Sequence, residues 1–191
     1  MKRIANFLFE VGMLSRTPRS GYQFLGSGKE SVSEHILRTV FVGYVLCKMD
    51  ATLDETKILK MCILHDLPEA RTGDMNYVNK KYVNVDEEKA VKELTTSLFF
   101  GHDIKAVIEE FNRRETNESL IARDADQIAL ILQLKECSDL GNKYADEWIG
   151  FALQRLTTEN GKKLAEIIIR TDSSHWWFEE KGSWWVNGNS V

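Results

Sequence analysis

Apolar positions recur along this chain at intervals of three and four, and most runs are fenced by residues that start or stop helices. Ser31-Val32-Ser33-Glu34 has the form of a capping box, with Ser31 as N-cap and Glu34 three residues on. The series Val32, Ile36, Val40, Gly43 or Tyr44, and Cys47 follows on one face, so a helix is expected from about Val32 to Met49. Thr52-Leu53-Asp54-Glu55 reads as a second box before Ile58, Leu59, Cys62 and Ile63, and Pro68 places that helix's end near His65-Asp66. Pro68 opens a short turn that Gly73 closes, and Asn76 to Val85, without a clear period, is expected as a loop. Asp86 is placed to cap Glu87 to Phe100, with Gly101 as the stop, and Asp103 to cap a helix reaching Arg114. Further helices are expected from Thr116 or Asn117 through Leu140, from Lys143 to Leu156, and, capped by Thr158, from Glu159 to Arg170.

Composition agrees. Twelve Gly and 2 Pro in 191 residues supply few of the tight turns that a sandwich or barrel needs. The expected fold class is therefore all-α, a single domain over residues 1–172 with about eight helices. The tail 173–191 changes character: Trp176, Trp177, Trp184 and Trp185 stand among Gly, Ser and Asn. A small hairpin around Glu179 to Ser183, packed on the helical body, is expected there.

Charge narrows the partners. Lys and Arg number 25 against 29 Asp and Glu, giving −4 with no basic block, so a nucleic-acid polymer is excluded as a ligand. A small phosphorylated ligand, held by one or two cations and a metal, is not. Cys47, Cys62 and Cys137 are odd in number, far apart and in apolar helical contexts, and are expected as reduced core thiols. The uncharged stretch Ile4 to Phe9 is short of a signal-peptide core, and no uncharged run approaches a membrane span. A cytoplasmic protein with no membrane partner is expected.

The chemistry concentrates at two of the four histidines. His102 and His175 have no metal-like neighbour at helical spacing. His35 falls on the second turn of a capped helix, and His65-Asp66 ends the apolar run Met61-Cys62-Ile63-Leu64. A carboxylate beside an imidazole at the end of so apolar a run needs a partner, since an unpaired buried charge costs several kcal/mol. A metal would supply one. Glu69 and Asp74 follow in H-D-L-P-E-A-R-T-G-D, and Ala122-Arg123-Asp124-Ala125-Asp126 adds two acids beside the stripe Ile121, Ala125, Ile128 and Leu132. Asp124 and Asp126 flank that stripe on opposite sides by similar angles, so periodicity does not choose between them.

Three segments taken together, S-V-S-E-H at Ser31 to His35, H-D-L-P-E-A-R-T-G-D at His65 to Asp74, and A-D-Q-I at Ala125 to Ile128, resemble the H…HD…D signature of the HD-domain metal-dependent phosphohydrolases. More narrowly they are similar to the 5′-deoxynucleotidase branch, over about Arg19 to Leu134. The resemblance implies an HD-domain helical bundle in which His35, His65, Asp66 and Asp126 hold one divalent metal, Asp126 being preferred to Asp124 as the Asp of an A-D pair. It implies Glu69 and Asp74 as acid/base and water-positioning groups, and Arg19 as a phosphate or substrate contact.

Two imidazoles and two carboxylates form a borderline N/O donor set that suits Mn, Fe, Co, Ni or Zn, with Mg possible and Ca disfavoured. The activity implied is removal of phosphate from a small nucleotide, a deoxynucleoside 5′-monophosphate first. The alternatives are an HD phosphohydrolase acting on a triphosphate, cyclic nucleotide or non-nucleotide phosphate, and a non-catalytic, metal-stabilised nucleotide-binding module. Related enzymes commonly pair. The stripe Ile4, Phe7, Leu8 and Val11, or the Trp tail, offers a self-complementary surface, so a homodimer is expected.

Overall fold

The computed structural model describes residues 1–179, 182 and 184–188, and no strand occurs among them. Eight helices of nine residues or more form the body: α1 (Lys2–Val11), α3 (Val32–Met49), α4 (Glu55–Leu64), α6 (Glu87–Thr95), α7 (Gly101–Arg113), α8 (Asn117–Asp139), α9 (Ala145–Leu153) and α10 (Glu159–Arg170). One-turn helices lie between and after them: α2 (Tyr22–Leu25), α5 (Glu69–Thr72), α11 (His175–Phe178) and α12 (Trp184–Asn187).

Packing is built on α8, whose Ile121, Ala122, Ala125, Ile128, Ala129, Ile131 and Leu134 are all buried. A helix apolar on so much of its circumference must be surrounded, and α3, α4, α9 and α10 surround it. Small residues let these backbones approach closely. A Cβ added at Gly43 would lie 2.7 Å from Cys62 Sγ and 3.8 Å from Ala125 Cβ, so α3, α4 and α8 meet at one tight junction. Those three helices carry or end beside the His35, His65-Asp66 and Asp126 positions.

A second apolar cluster joins α1 to α6 and α7 through Phe7, Val91, Leu94, Leu98, Ile104 and Ile108. The N-terminal stripe expected to face a second subunit is taken up mostly within the chain: Phe7 packs edge-on against Phe100 at 5.6 Å, and Ile4 and Val11 pack against the same cluster. Leu8 stays exposed.

The Ser31 capping box forms as expected, the Glu34 amide donating to Ser31 Oγ and the Ser31 amide to Glu34 Oε2. At α4 the cap is Asp54, which accepts from the Lys57 amide at 3.0 Å; Thr52 instead donates to Asp50. The helix expected to run to Phe100 ends at Thr95, and Gly101 begins α7 instead of closing α6, leaving Asp103 in its first turn. The reason lies in the turn between them. A Cβ at Gly101 would fall 2.3 Å from the Thr95 carbonyl oxygen, so glycine here permits the two helices to meet.

In place of the expected tail hairpin, the Trp pairs sit on α11 and α12, and Glu180, Lys181 and Ser183 of the expected turn lie outside the described residues. In a strand, adjacent Trp side chains would point to opposite faces. Helical geometry instead lets Trp177, Phe178 and Trp185 meet ring to ring at 5.1–5.7 Å. The Ser173 amide ties the start of the tail to Asp139 on α8, donating at 2.9 Å. Cys47, Cys62 and Cys137 are buried, unpaired thiols, and none of the described helices is long and apolar enough to cross a membrane.

Candidate metal centre and cavity

The capping box fixes the first turns of α3, and its phase turns the wholly buried His35 toward α8. There His35 Nε2 lies 2.9 Å from Asp126 Oδ1. His65 is the C-cap of α4, where Pro68 bends the chain, and its Nδ1–H donates to the Cys62 carbonyl at 3.0 Å. That bond leaves Nε2 facing the cluster, 3.3 Å from Asp66 Oδ2 and 3.8 Å from Asp126 Oδ1, buried and without a hydrogen-bond partner. His35, His65 and Asp126 each place a donor atom within 4.8 Å of the others. Asp66 stands beside them, its Oδ2 3.7 Å from His35 Nε2.

Asp126, and not Asp124, faces this cluster. Asp124 points the other way, accepting from the backbone amides and hydroxyls of Thr157 and Thr158 at 2.6–3.1 Å. It anchors the start of α10. Asp126 Oδ2 is held in turn by the Gln127 side-chain amide at 2.9 Å.

Arg19 reaches the same place from the segment ahead of α3, in which α2 forms. Its amide donates to the Glu30 carbonyl at 2.9 Å beside a Pro18–Ser31 bridge, which pins it to the start of α3. Nη1 lies 3.2 Å from Asp66 Oδ2 and 3.6 Å from Asp74 Oδ1. Asp74 is itself fastened by Ser20, whose amide donates to Oδ2 at 2.6 Å. Glu69, on α5, leaves a buried Oε2 without a partner.

The electrostatics follow from crowding. Burial opposes the charge of Arg19, but Asp66, Asp74, Asp126 and Glu69 outweigh it and raise the arginine's pKa. Burial would raise Asp66 as well, yet His65, Arg19 and His35 bring it down to about 2. Asp126 is likewise depressed, burial being overcome by His35 and then His65. Burial lowers the proton affinity of His65, and Asp66 and Asp126 more than restore it. At Glu69 burial, then Asp66 and Asp74, outweigh the pull of Arg19 and Lys80 and push it up to about 9.

A cavity of about 740 Å³ opens on Arg19, His65, Asp66, Glu69, Asp74 and Asp126. Tyr77, Trp148, Phe151 and Arg155 also line it, and sequence reasoning assigned none of them a role. Tyr77 lies in the aperiodic loop and Arg155 past the end of α9, where no local spacing marks a ligand-facing side chain.

A family model described as HD domain matches residues 11–168. The chain belongs to the HD-domain family of metal-dependent phosphohydrolases. Among curated members it is 30% identical to the 5′-deoxynucleotidase HDDC2 of Mus musculus over 146 residues, 73% of this chain and 72% of that one. It is 31% identical to the protein of the same name from Dictyostelium discoideum over 148 residues, 71% of this chain and 78% of that one. Among solved structures, a conserved hypothetical protein from Pyrococcus furiosus matches with a TM-score of 0.76 at 28% identity, over 87% of this chain and 99% of that one. A predicted metal-dependent phosphohydrolase from Magnetospirillum magnetotacticum shares the fold at a TM-score of 0.69 and 18% identity, over 88% of this chain and 90% of that one. The buried His35, His65 and Asp126 cluster of this HD domain is suited to a divalent metal.

Proposed function

We propose that this HD-domain protein removes phosphate from a small nucleotide, with a deoxynucleoside 5′-monophosphate as substrate. The observation that carries the reading is the juxtaposition, on one cavity, of an unpartnered ligand atom, His65 Nε2, with an unpartnered proton-carrying group, Glu69. The substrate class is supported by relatives named 5′-deoxynucleotidase at about 30% identity.

His35, His65, Asp66 and Asp126 are the residues that would hold the ion. Their donor set fits it, because two depressed carboxylates beside two imidazoles favour a cation where protons otherwise sit. Mn, Fe, Co, Ni and Zn suit that set, and Mg is compatible. A divalent ion bound there supplies Lewis acidity toward water and a phosphoryl oxygen. Glu69 carries and returns the proton, its hold on that proton strengthened by burial and the adjacent acids Asp66 and Asp74. Arg19, fixed between Asp66 and Asp74, presents a charged guanidinium toward a phosphate oxygen. Asp74 positions Arg19 through Ser20 and through its own carboxylate.

Phosphate release measured over a panel of deoxynucleotides, nucleotides, triphosphates and cyclic nucleotides, with Mn or Co added, tests the reading. Turnover of triphosphates or cyclic nucleotides alone would move the substrate class, and absence of turnover on every member of the panel, with the metal bound, would leave a binding module. A homodimer in the cytoplasm completes the proposal; a monomer by light scattering at micromolar concentration would remove the dimer.

A further inference from the structure

Tyr77 and Arg155 meet at the cavity rim, from opposite parts of the chain, and take no part in the ligand cluster. The Arg155 guanidinium carbon lies 4.6 Å from the centre of the Tyr77 ring, in cation–π geometry. No carboxylate pairs with Arg155 among the described residues. Its Nη1 instead donates to Gln127 Oε1 at 3.1 Å, while Gln127 Nε2 donates to Asp126 Oδ2 at 2.9 Å. Both ends of the Gln127 amide are engaged, and only this orientation gives the arginine an acceptor and the carboxylate a donor. Arg155 is thereby set at a fixed place relative to Asp126, its Nη1 at most about 8 Å from Asp126 Oδ2 through one amide and two hydrogen bonds. That is about the reach of a pentose and its 5′-carbon. Tyr77 is 62% exposed and lines the cavity, so much of its surface is accessible to a ligand there.

A phosphate held at the cluster would therefore put its leaving group beside an accessible aromatic ring backed by a cation. We propose that Tyr77 and Arg155 form the leaving-group subsite, where the nucleobase stacks on the Tyr77 ring. Stacking reads a π-face and not a donor and acceptor pattern, so the subsite accepts purine and pyrimidine alike and rejects phosphate esters without a planar group. This rests on the nucleotide phosphohydrolase reading above.

The test compares kcat/KM for a purine and a pyrimidine deoxynucleoside 5′-monophosphate with that for deoxyribose 5-phosphate, which keeps the phosphate and sugar and lacks the base. Wild type should favour both nucleotides over the sugar phosphate by roughly 5- to 100-fold. In Tyr77→Ala and Arg155→Ala that ratio should collapse toward one, mainly through KM, with circular dichroism unchanged. Tyr77→Phe should keep it. A variant that lowers all three substrates equally, or a wild type that does not distinguish them, overturns the subsite while leaving the phosphohydrolase reading intact. Failure of that reading looks different: no hydrolysis of any of the three.

Discussion

Asp124 and Asp126 stand two residues apart on α8 with opposite duties, and replacing each by alanine separates them. Asp124 is 1% exposed and accepts four hydrogen bonds from Thr157 and Thr158, the residues that start α10. Gly161 packs so closely that a Cβ there would lie 2.4 Å from Asp124 Oδ2. A hydrogen bond to a charged group contributes about 1.5–3 kcal/mol taken singly, but four to one carboxylate are not additive, and water can reach part of the freed threonine groups. Truncating one side of a buried charged network costs about 3–5 kcal/mol, which we adopt for Asp124→Ala. In a chain of this length that lowers the Tm by roughly 6–20 °C. Urea unfolding followed by circular dichroism gives the stability, and elemental analysis of the folded protein gives the metal. Asp124→Ala should lose stability and keep metal per folded molecule; Asp126→Ala should lose the metal. A loss below about 1 kcal/mol for Asp124→Ala, or full metal content in Asp126→Ala, would refute the division.

Chelation should lower the Tm of wild type, since an ion at one hundred times its Kd contributes about 2.7 kcal/mol. His65→Ala should be insensitive to chelator, whereas variants at the exposed His102 and His175 should respond as wild type does; a wild type indifferent to chelator would count against the site. Gly43→Ala places a methyl 2.7 Å from Cys62 Sγ and should cost about 1–3 kcal/mol, part of it restored by adding Cys62→Ala; strictly additive losses in urea would show another cause. In the metal-free protein Glu69, pushed up to about 9, keeps its proton where the unfolded chain has lost it, so its contribution to stability falls as pH rises from the ordinary carboxylate range toward 9. Glu69→Gln should remove that slope, gaining on metal-free wild type by a few kcal/mol between pH 5 and 8, while turnover of the loaded enzyme falls about 10²- to 10⁴-fold; parallel stability profiles would refute the burial argument.

The starts of α3 and α10 were legible because their caps are local. Ser31 and Thr158 bond to amides three residues ahead, so their signal is complete within four residues. The break between α6 and α7 was not, because Gly101 answers to the Thr95 carbonyl across a turn and not to its neighbours. The same limit governed the acids of α8. Their angles about the stripe are equivalent, and what distinguishes them lies about thirty residues away at Thr157 and Thr158 for one, and across the core at His35 for the other. The set containing His35, His65 and Asp126 came from the resemblance to the HD-domain signature, and the structure brings donor atoms of those three residues within 4.8 Å of one another. Tyr77 and Arg155 lie outside the segments that carry that signature.

The composition of the cavity bears on whether this HD domain catalyses or only binds. A cluster kept for stability alone is a poor bargain: replacing a buried ion network by apolar residues of similar volume is often neutral or stabilising. Arg19 offsets part of the charge of Asp66 and Asp74, and Ser20 satisfies more of Asp74, but Asp126 relies on the histidines and Gln127. A divalent cation would complete that set for binding or for catalysis equally. Glu69 breaks the symmetry between the two. Its Oε2 is buried without a partner, its burial works against stability above the ordinary carboxylate range, and it lies on the cavity and not among the mutually close donor atoms. A structural or sensing site gains nothing from a carboxyl group so placed, whereas the hydrolysis proposed above would use a proton carrier there.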